Sequence, residues 1–200
     1  MNLKILSKIE KDLLKFPGIG ERLARKLAIF LITRDEKDNT KLIEDLKEIQ
    51  TNVFRCEECG ALIEKEGKCE FCSDQNRINK ILVVQNIEDY LLIGDNKIFE
   101  GFYHILGGLI APLRGITPDM LSIEKLSERI EARKIDEVIF ALPETNDGLI
   151  TTLYIKNFLK KKYKELKFSK IAEGIPYGSG LSEISIQTIL NSIKNRENIN

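Results

Sequence analysis

Apolar residues recur at helical spacing through the first quarter of the chain. Leu3, Leu6, Ile9, Leu13 and Leu14 mark one stretch, and Leu23, Leu27, Phe30 and Leu31 a second, on either side of Phe16-Pro17-Gly18-Ile19-Gly20. Two amphipathic helices flanking a tight, glycine-containing turn are therefore predicted. A third helix is predicted over 36–54, with Leu42, Ile43, Leu46, Ile49 and Val53 on one face and a charged, solvated face opposite. Beyond residue 76 the pattern changes. Short apolar runs at 80–84 (KILVV), 102–106 (FYHIL), 137–142 (EVIFAL) and 167–172 (KFSKIA) alternate with helical patterns near 87–93, 122–133, 147–162 and 181–194. Strands alternating with helices predict an α/β chain whose mainly parallel sheet is covered on both faces. The carboxy-terminal NRENIN predicts a frayed end.

Length and charge narrow the function classes. With 200 residues, 31 basic and 31 acidic side chains and 42% hydrophobic residues, the composition is that of a folded protein too short for a large multidomain enzyme. No run approaches the ~18–20 apolar residues of a membrane span, and MNLKILSKIEK mixes charge with hydrophobes where a signal peptide would be apolar. A cytoplasmic location is expected. The neutral total also excludes a surface that is basic throughout, so contact with nucleic acid has to come from local clusters. One such cluster stands at the amino-terminal end, where residues 1–34 carry eight basic side chains against three acidic ones.

All four cysteines fall in one segment, CEECGALIEKEGKCEFC, as Cys56-x2-Cys59, nine residues, then Cys69-x2-Cys72. Each CxxC pair can turn both thiolates toward one point, and two such knuckles supply the four sulfurs that tetrahedral Zn²⁺ takes at ~2.3 Å. The other readings are free thiols or two disulfides; a reducing compartment disfavours the latter. Four sulfur ligands close the coordination shell, which makes a structural Zn²⁺ the expectation. Glu57, Glu58, Glu64, Glu66 and Glu70 outnumber Lys65 and Lys68 in this segment, so it would repel a phosphate backbone.

The turn Phe16-Pro17-Gly18-Ile19-Gly20 resembles the helix-hairpin-helix motif, an apolar residue followed by PGhG and a helix with a small residue near Ala24. Gly18 and Gly20 let the backbone approach an anion, and the free N–H groups and dipole of the second helix point at it. Arg22, Arg25 and Lys26 follow on that helix. Such contacts grip phosphate without reading bases. The alternative is a plain interhelical turn stopped by proline.

Taken in order, the glycine hairpin, the C-x2-C-x9-C-x2-C ribbon, the block from Tyr103 to Asp119 (YHILGGLIAPLRGITPD) and KIAEGIPYG at 170–178 resemble the RecR family of bacterial recombination mediator proteins across nearly the whole chain. The resemblance implies four parts: a helical helix-hairpin-helix region (1–54), a four-cysteine zinc ribbon (55–76), a Toprim-like α/β domain (77–172) and a carboxy-terminal segment with a helix (173–200). Catalytic Toprim proteins carry a glutamate after the first strand and an Asp-x-Asp pair after a later one. Here Gln85 and Asn86 follow KILVV, and PETNDGL follows EVIFAL with Leu149 where relatives carry a second acid. Without a carboxylate at the strand end the general acid/base is missing, so no catalytic residue is assigned. Glu88, Asp89, Glu144 and Asp147 remain nearby. His104, the single histidine, is expected to be a core or interface residue.

By resemblance the chain is expected to be a non-catalytic DNA-binding mediator of recombinational repair. It would form a homo-oligomer, a dimer or a tetrameric ring, around single-stranded/double-stranded junctions or gaps, associated with the nucleoid during repair. With RecO, and RecF where present, it would load RecA onto DNA coated by single-strand-binding protein. Asp147 corresponds to an acidic family position expected to meet RecO. The other classes are a Mg²⁺-dependent Toprim nuclease or topoisomerase and a zinc-ribbon adaptor that does not itself touch DNA.

Overall fold

The computed structural model describes residues 3–195 apart from 66, 97, 173 and 177. The NRENIN end beyond Asn195 and Glu66 of the ribbon lie outside the described residues. The chain divides into two compact units, Met1–Val53 and Phe54–Asn200.

The first unit is helical: α1 (Lys4–Leu13), α2 (Glu21–Thr33) and α3 (Glu36–Asn52). α1 packs against α2. Between them Pro17 ends the first helical run, and Gly18 takes φ +77°, in the left-handed region that costs a side-chain-bearing residue about 1 kcal/mol or more. The buried residues of α2 are Ala24 and Ala28, four apart and so on one face. Asp35 caps α3 by accepting from the Lys37 N–H at 2.8 Å, and Asn39 Nδ2 donates to the Leu31 carbonyl at 2.7 Å. α3 differs from expectation in two ways. It ends at Asn52, because Val53 is extended (φ −108°, ψ 123°) and opens a strand. Its apolar face of Leu42, Ile43, Leu46 and Ile49 is exposed.

In the second unit, β1 (Val53–Arg55) pairs with β2 (Leu62–Glu64), and α4 (Glu70–Ser73) follows. Four strands, β3 (Ile78–Val84), β4 (Gly101–Ile105), β5 (Glu137–Ala141) and β6 (Lys167–Lys170), form a sheet in the order β4-β3-β5-β6. Every neighbouring pair is parallel, as the sequence predicts for this alternation. The crossovers run through α5 (Ile87–Asp95), α6 (Ile123–Ala132) and α7 (Asn146–Lys162). The last predicted helix splits into a 3₁₀ turn, Leu181–Glu183, and α8 (Ile186–Lys194), because Ser185 caps the latter by accepting from the Thr188 N–H at 3.1 Å.

Strand alternation sorts the core into two clusters. Ile81, Val83, Phe102, Val138 and Phe140 meet Leu126 and Ile130 of α6 and Ile155 and Leu159 of α7. Leu82, Val84, Tyr103, Ile105 and Ala141 meet Tyr90 of α5 and all four cysteines. The ribbon is thus part of the cover on one face of the sheet. Phe71 of α4 joins it through edge-on contacts with Tyr90 and Tyr103, ring centroids 5.3 and 5.1 Å apart.

Candidate functional site

The two CxxC knuckles are held by backbone hydrogen bonds. The Cys56 N–H donates to the Ala61 carbonyl at 2.7 Å and the Gly60 N–H to the Cys56 carbonyl at 2.9 Å. Gly60 has φ +80°, and a Cβ there would press on Ile105 Cβ at 3.3 Å. The second knuckle places Cys69 at the N-cap of α4, with the Ser73 N–H donating to its carbonyl at 2.9 Å. All four cysteines are buried, and their sulfurs lie within 4.8 Å of one another. Cys56 Sγ is 3.9 Å from Cys72 Sγ, and Cys59 Sγ is 3.5 Å from Cys69 Sγ.

These separations fit a metal and not a disulfide. A tetrahedron with bonds of ~2.3 Å has sulfur–sulfur edges of about 3.8 Å, whereas a disulfide needs about 2.05 Å. The hydrogen bond between Cys59 and Cys69 splits the pair, pushing the Cys59 thiol above the usual thiol range and holding Cys69 below it. Sulfurs this close therefore resist ionising together, and a cation among them is what allows four thiolates. Cys56, Cys59, Cys69 and Cys72 come together as expected, and among the described residues they are the one group of His, Cys, Asp or Glu side chains arranged to hold a metal ion.

The ribbon is joined to the edge strand β4. The Ile105 N–H donates to the Cys59 carbonyl at 2.9 Å. Arg129 of α6 donates through Nη1 to the Tyr103 carbonyl at 2.6 Å and through Nη2 to Cys72 Sγ at 3.5 Å. One helical turn on, Arg133 pairs with Glu58 at 2.8 Å and stacks over Phe102, 5.3 Å from the ring centroid. Neither arginine is singled out by the sequence reading. A signal was present: Arg129 stands three residues after Leu126 and one before Ile130, within the apolar stripe of α6.

His104 is fully buried. Its Nε2 lies 2.8 Å from the Ser122 carbonyl and its Nδ1 3.3 Å from Arg129 Nη1. A carbonyl only accepts and a guanidinium only donates, so the ring is neutral with its proton on Nε2. Burial first, and the Arg129 cation second, hold its pKa at about 3.

In the first unit, the helix that follows Gly20 begins without a side-chain cap, and the N–H groups of a helix's first turn have no intrahelical acceptor. Arg22, Arg25 and Lys26 are exposed, and among the described residues none is in an ion pair. Asp147, at the start of α7, is paired with Arg114 at 2.7 Å.

Residues 79–172 match the Toprim domain family. Over its full length the chain is similar to curated relatives. It is 37% identical over 198 residues to the Recombination protein RecR of Prochlorococcus marinus (strain MIT 9215), covering 98% of this chain and 96% of the relative. It is 35% identical over 197 residues to the Recombination protein RecR of Finegoldia magna, covering 98% and 97%. For that of Maridesulfovibrio salexigens the values are 31% over 192 residues, 96% and 95%. The chain belongs to the RecR family.

Within this RecR-family Toprim domain, the residues at the carboxyl end of the central strand have structural partners. Asn86 caps α5 by accepting from the Asp89 N–H at 2.8 Å, and the Gln85 carbonyl accepts from the Gly107 N–H at 3.0 Å. Glu144 pairs with Lys170 at 3.1 Å. The acids noted in the sequence, Glu88, Asp89, Glu144 and Asp147, do not gather into a three-ligand group among the described residues.

Proposed function

We propose that this chain is a non-catalytic recombination mediator that grips DNA through its phosphates, forms a homo-oligomer around gapped or branched DNA, and works with RecO, and RecF where present, to load RecA onto single-stranded DNA coated by single-strand-binding protein. Similarity over 96–98% of the chain to proteins named Recombination protein RecR carries this reading. Gly18, Gly20, Arg22, Arg25 and Lys26 would hold phosphate, since the hairpin combines close backbone approach, an uncapped helix start and cations outside any ion pair. Several weak subunit contacts facing one duplex multiply once the first is made.

Cys56, Cys59, Cys69 and Cys72 would hold Zn²⁺, which supplies a closed four-sulfur cross-link rather than a reactive position. The first unit would be the DNA-binding part, and the ribbon a brace on the Toprim sheet. A Toprim surface with Asp147 at its rim would meet RecO. A cytoplasmic location belongs to this reading; among the described residues no helix is long and apolar enough to cross a membrane. The amide at Gln85 in place of a carboxylate favours a mediator over a nuclease.

The test is retention of gapped plasmid on a gel with Mg²⁺ at several salt concentrations, scored for binding and strand cleavage together. Salt-sensitive retention of intact DNA is the expected outcome. Cleavage abolished by chelator would overturn the reading in favour of a Toprim enzyme, and failure to bind at any salt would favour an adaptor.

A further inference from the structure

Arg129 is a buried cation without a carboxylate. It is 4% exposed, and a guanidinium so deeply buried is seldom found without an anion beside it. Among the described residues no Asp or Glu pairs with it. Its partners are the Tyr103 carbonyl, His104 Nδ1 and Cys72 Sγ, and its Nε is buried without a partner. Of these groups, the carbonyl and the Nε2-protonated ring carry no charge. Cys72 alone is able to become an anion.

The cysteine cluster has the opposite imbalance. Four thiolates around one divalent cation leave an excess of negative charge, and a buried net charge is costly unless something offsets it. Arg133 is near, yet it already has Glu58 at 2.8 Å and is partly exposed. Arg129 is the cation whose charge remains to be matched, and α6 delivers it across the edge strand to the metal ligands.

We propose, resting on the reading of the four cysteines as a zinc centre, that Arg129 is the counter-cation of that centre: its guanidinium donates to the Cys72 thiolate, offsets the charge of the tetrathiolate, and so lets a helix of the Toprim domain set the metal affinity of the ribbon. A buried guanidinium that donates to a ligand sulfur offsets the negative charge the sulfur brings to a metal centre. Partners of this kind behind the ligands change metal affinity by about 10–100-fold when removed.

The test uses the full chain as wild type, Arg129→Lys and Arg129→Gln, each loaded with one equivalent of Zn²⁺ and titrated with a chromophoric chelator of known affinity, with folding followed by circular dichroism. Lysine keeps the charge, while glutamine keeps a donor for the Tyr103 carbonyl without it. Arg129→Gln is expected to hold zinc about 10–100-fold more weakly, with Arg129→Lys close to wild type. Equal affinity in Arg129→Gln and wild type overturns the proposal. So do equal losses in both variants, which would tie the affinity to the shape of the guanidinium and not to its charge. Wild type that takes up no zinc overturns the zinc reading itself, a separate result.

Should Arg129→Gln not fold, alkylation of the zinc-loaded wild type, mapped by mass spectrometry, replaces it. Cys56 and Cys72 are buried alike, 8% and 6% exposed, so exposure does not separate them. Cys72 is expected to react several-fold more slowly than Cys56, and equal rates overturn the assignment.

Discussion

The Ile105 N–H donates to the Cys59 carbonyl at 2.9 Å, so the last residue of an edge strand and a metal-binding knuckle share one hydrogen bond. With Arg129 on the Tyr103 carbonyl two residues earlier, the ribbon side of β4 has both a donor and an acceptor satisfied. Metal site and sheet therefore share one core.

Metal removal is expected to destabilise the whole second unit rather than the ribbon alone. A metal present at a thousand times its Kd stabilises by about 4 kcal/mol, and at about 2–4 °C per kcal/mol for a chain of this size its loss lowers Tm by roughly 10 °C. Calorimetry with and without a zinc chelator checks this. A ribbon signal that is lost while the sheet melts unchanged would show the two to be independent.

Reversing two charges of the hairpin, Arg22→Glu with Lys26→Glu, is expected to weaken binding about equally for unrelated DNA sequences. The slope of log affinity against log salt should flatten by about two, one unit for each phosphate that is no longer neutralised. Fluorescence anisotropy across a salt series measures both. Unaltered affinity would remove the hairpin from the DNA site.

His104 makes stability depend on pH. Its pKa is held at about 3 in the folded chain by burial and by Arg129, against roughly 6.5 when unfolded. Above about pH 6.5 both states are neutral and nothing is lost. As pH falls toward 3 the unfolded state takes up a proton that the folded state refuses, at about 1.4 kcal/mol per unit. Between pH 7.5 and 5.5 wild type should therefore lose about 1.4 kcal/mol more than His104→Asn in urea unfolding. Equal losses would mean that the imidazole is protonated in the fold.

Thr151 ties α7 to the segment after β4. Its hydroxyl accepts from the Ile110 N–H at 2.9 Å and donates to the Asp147 carbonyl at 2.6 Å, and the residue is fully buried. Thr151→Val keeps the shape but strands the Ile110 N–H, at a cost of about 1–3 kcal/mol. Urea unfolding measures it, and a change below about 0.5 kcal/mol would indicate that the amide finds another acceptor.

What the sequence made legible follows from how local each signal is. The four cysteines declare themselves by spacing, and Ile81–Val84 and Val138–Phe140 by unbroken apolar runs that only a strand buried on both faces requires. Gly18 is readable because a positive φ selects glycine. The three-residue strands flanking the first knuckle are too short to impose a period. Val53 reads equally well as the end of a helical stripe or the start of a strand, and its extended backbone decides the matter. Arg129 was hidden for a different reason. A charged residue within an apolar stripe makes sense only once its partner, Cys72, 57 positions away in the chain, is in place.

The placement of the ribbon also bears on self-association. A parallel sheet ends in rows of unpaired N–H and C=O groups, which invite strands from other molecules. At β4 those groups are engaged by Cys59 and Arg129. A chain stripped of metal by oxidation or chelation would release this guard and lay bare a wholly buried strand, Gly101–Ile105, as a template for cross-molecule pairing. A metal held by the four cysteines would thus guard a sheet edge as well as a fold.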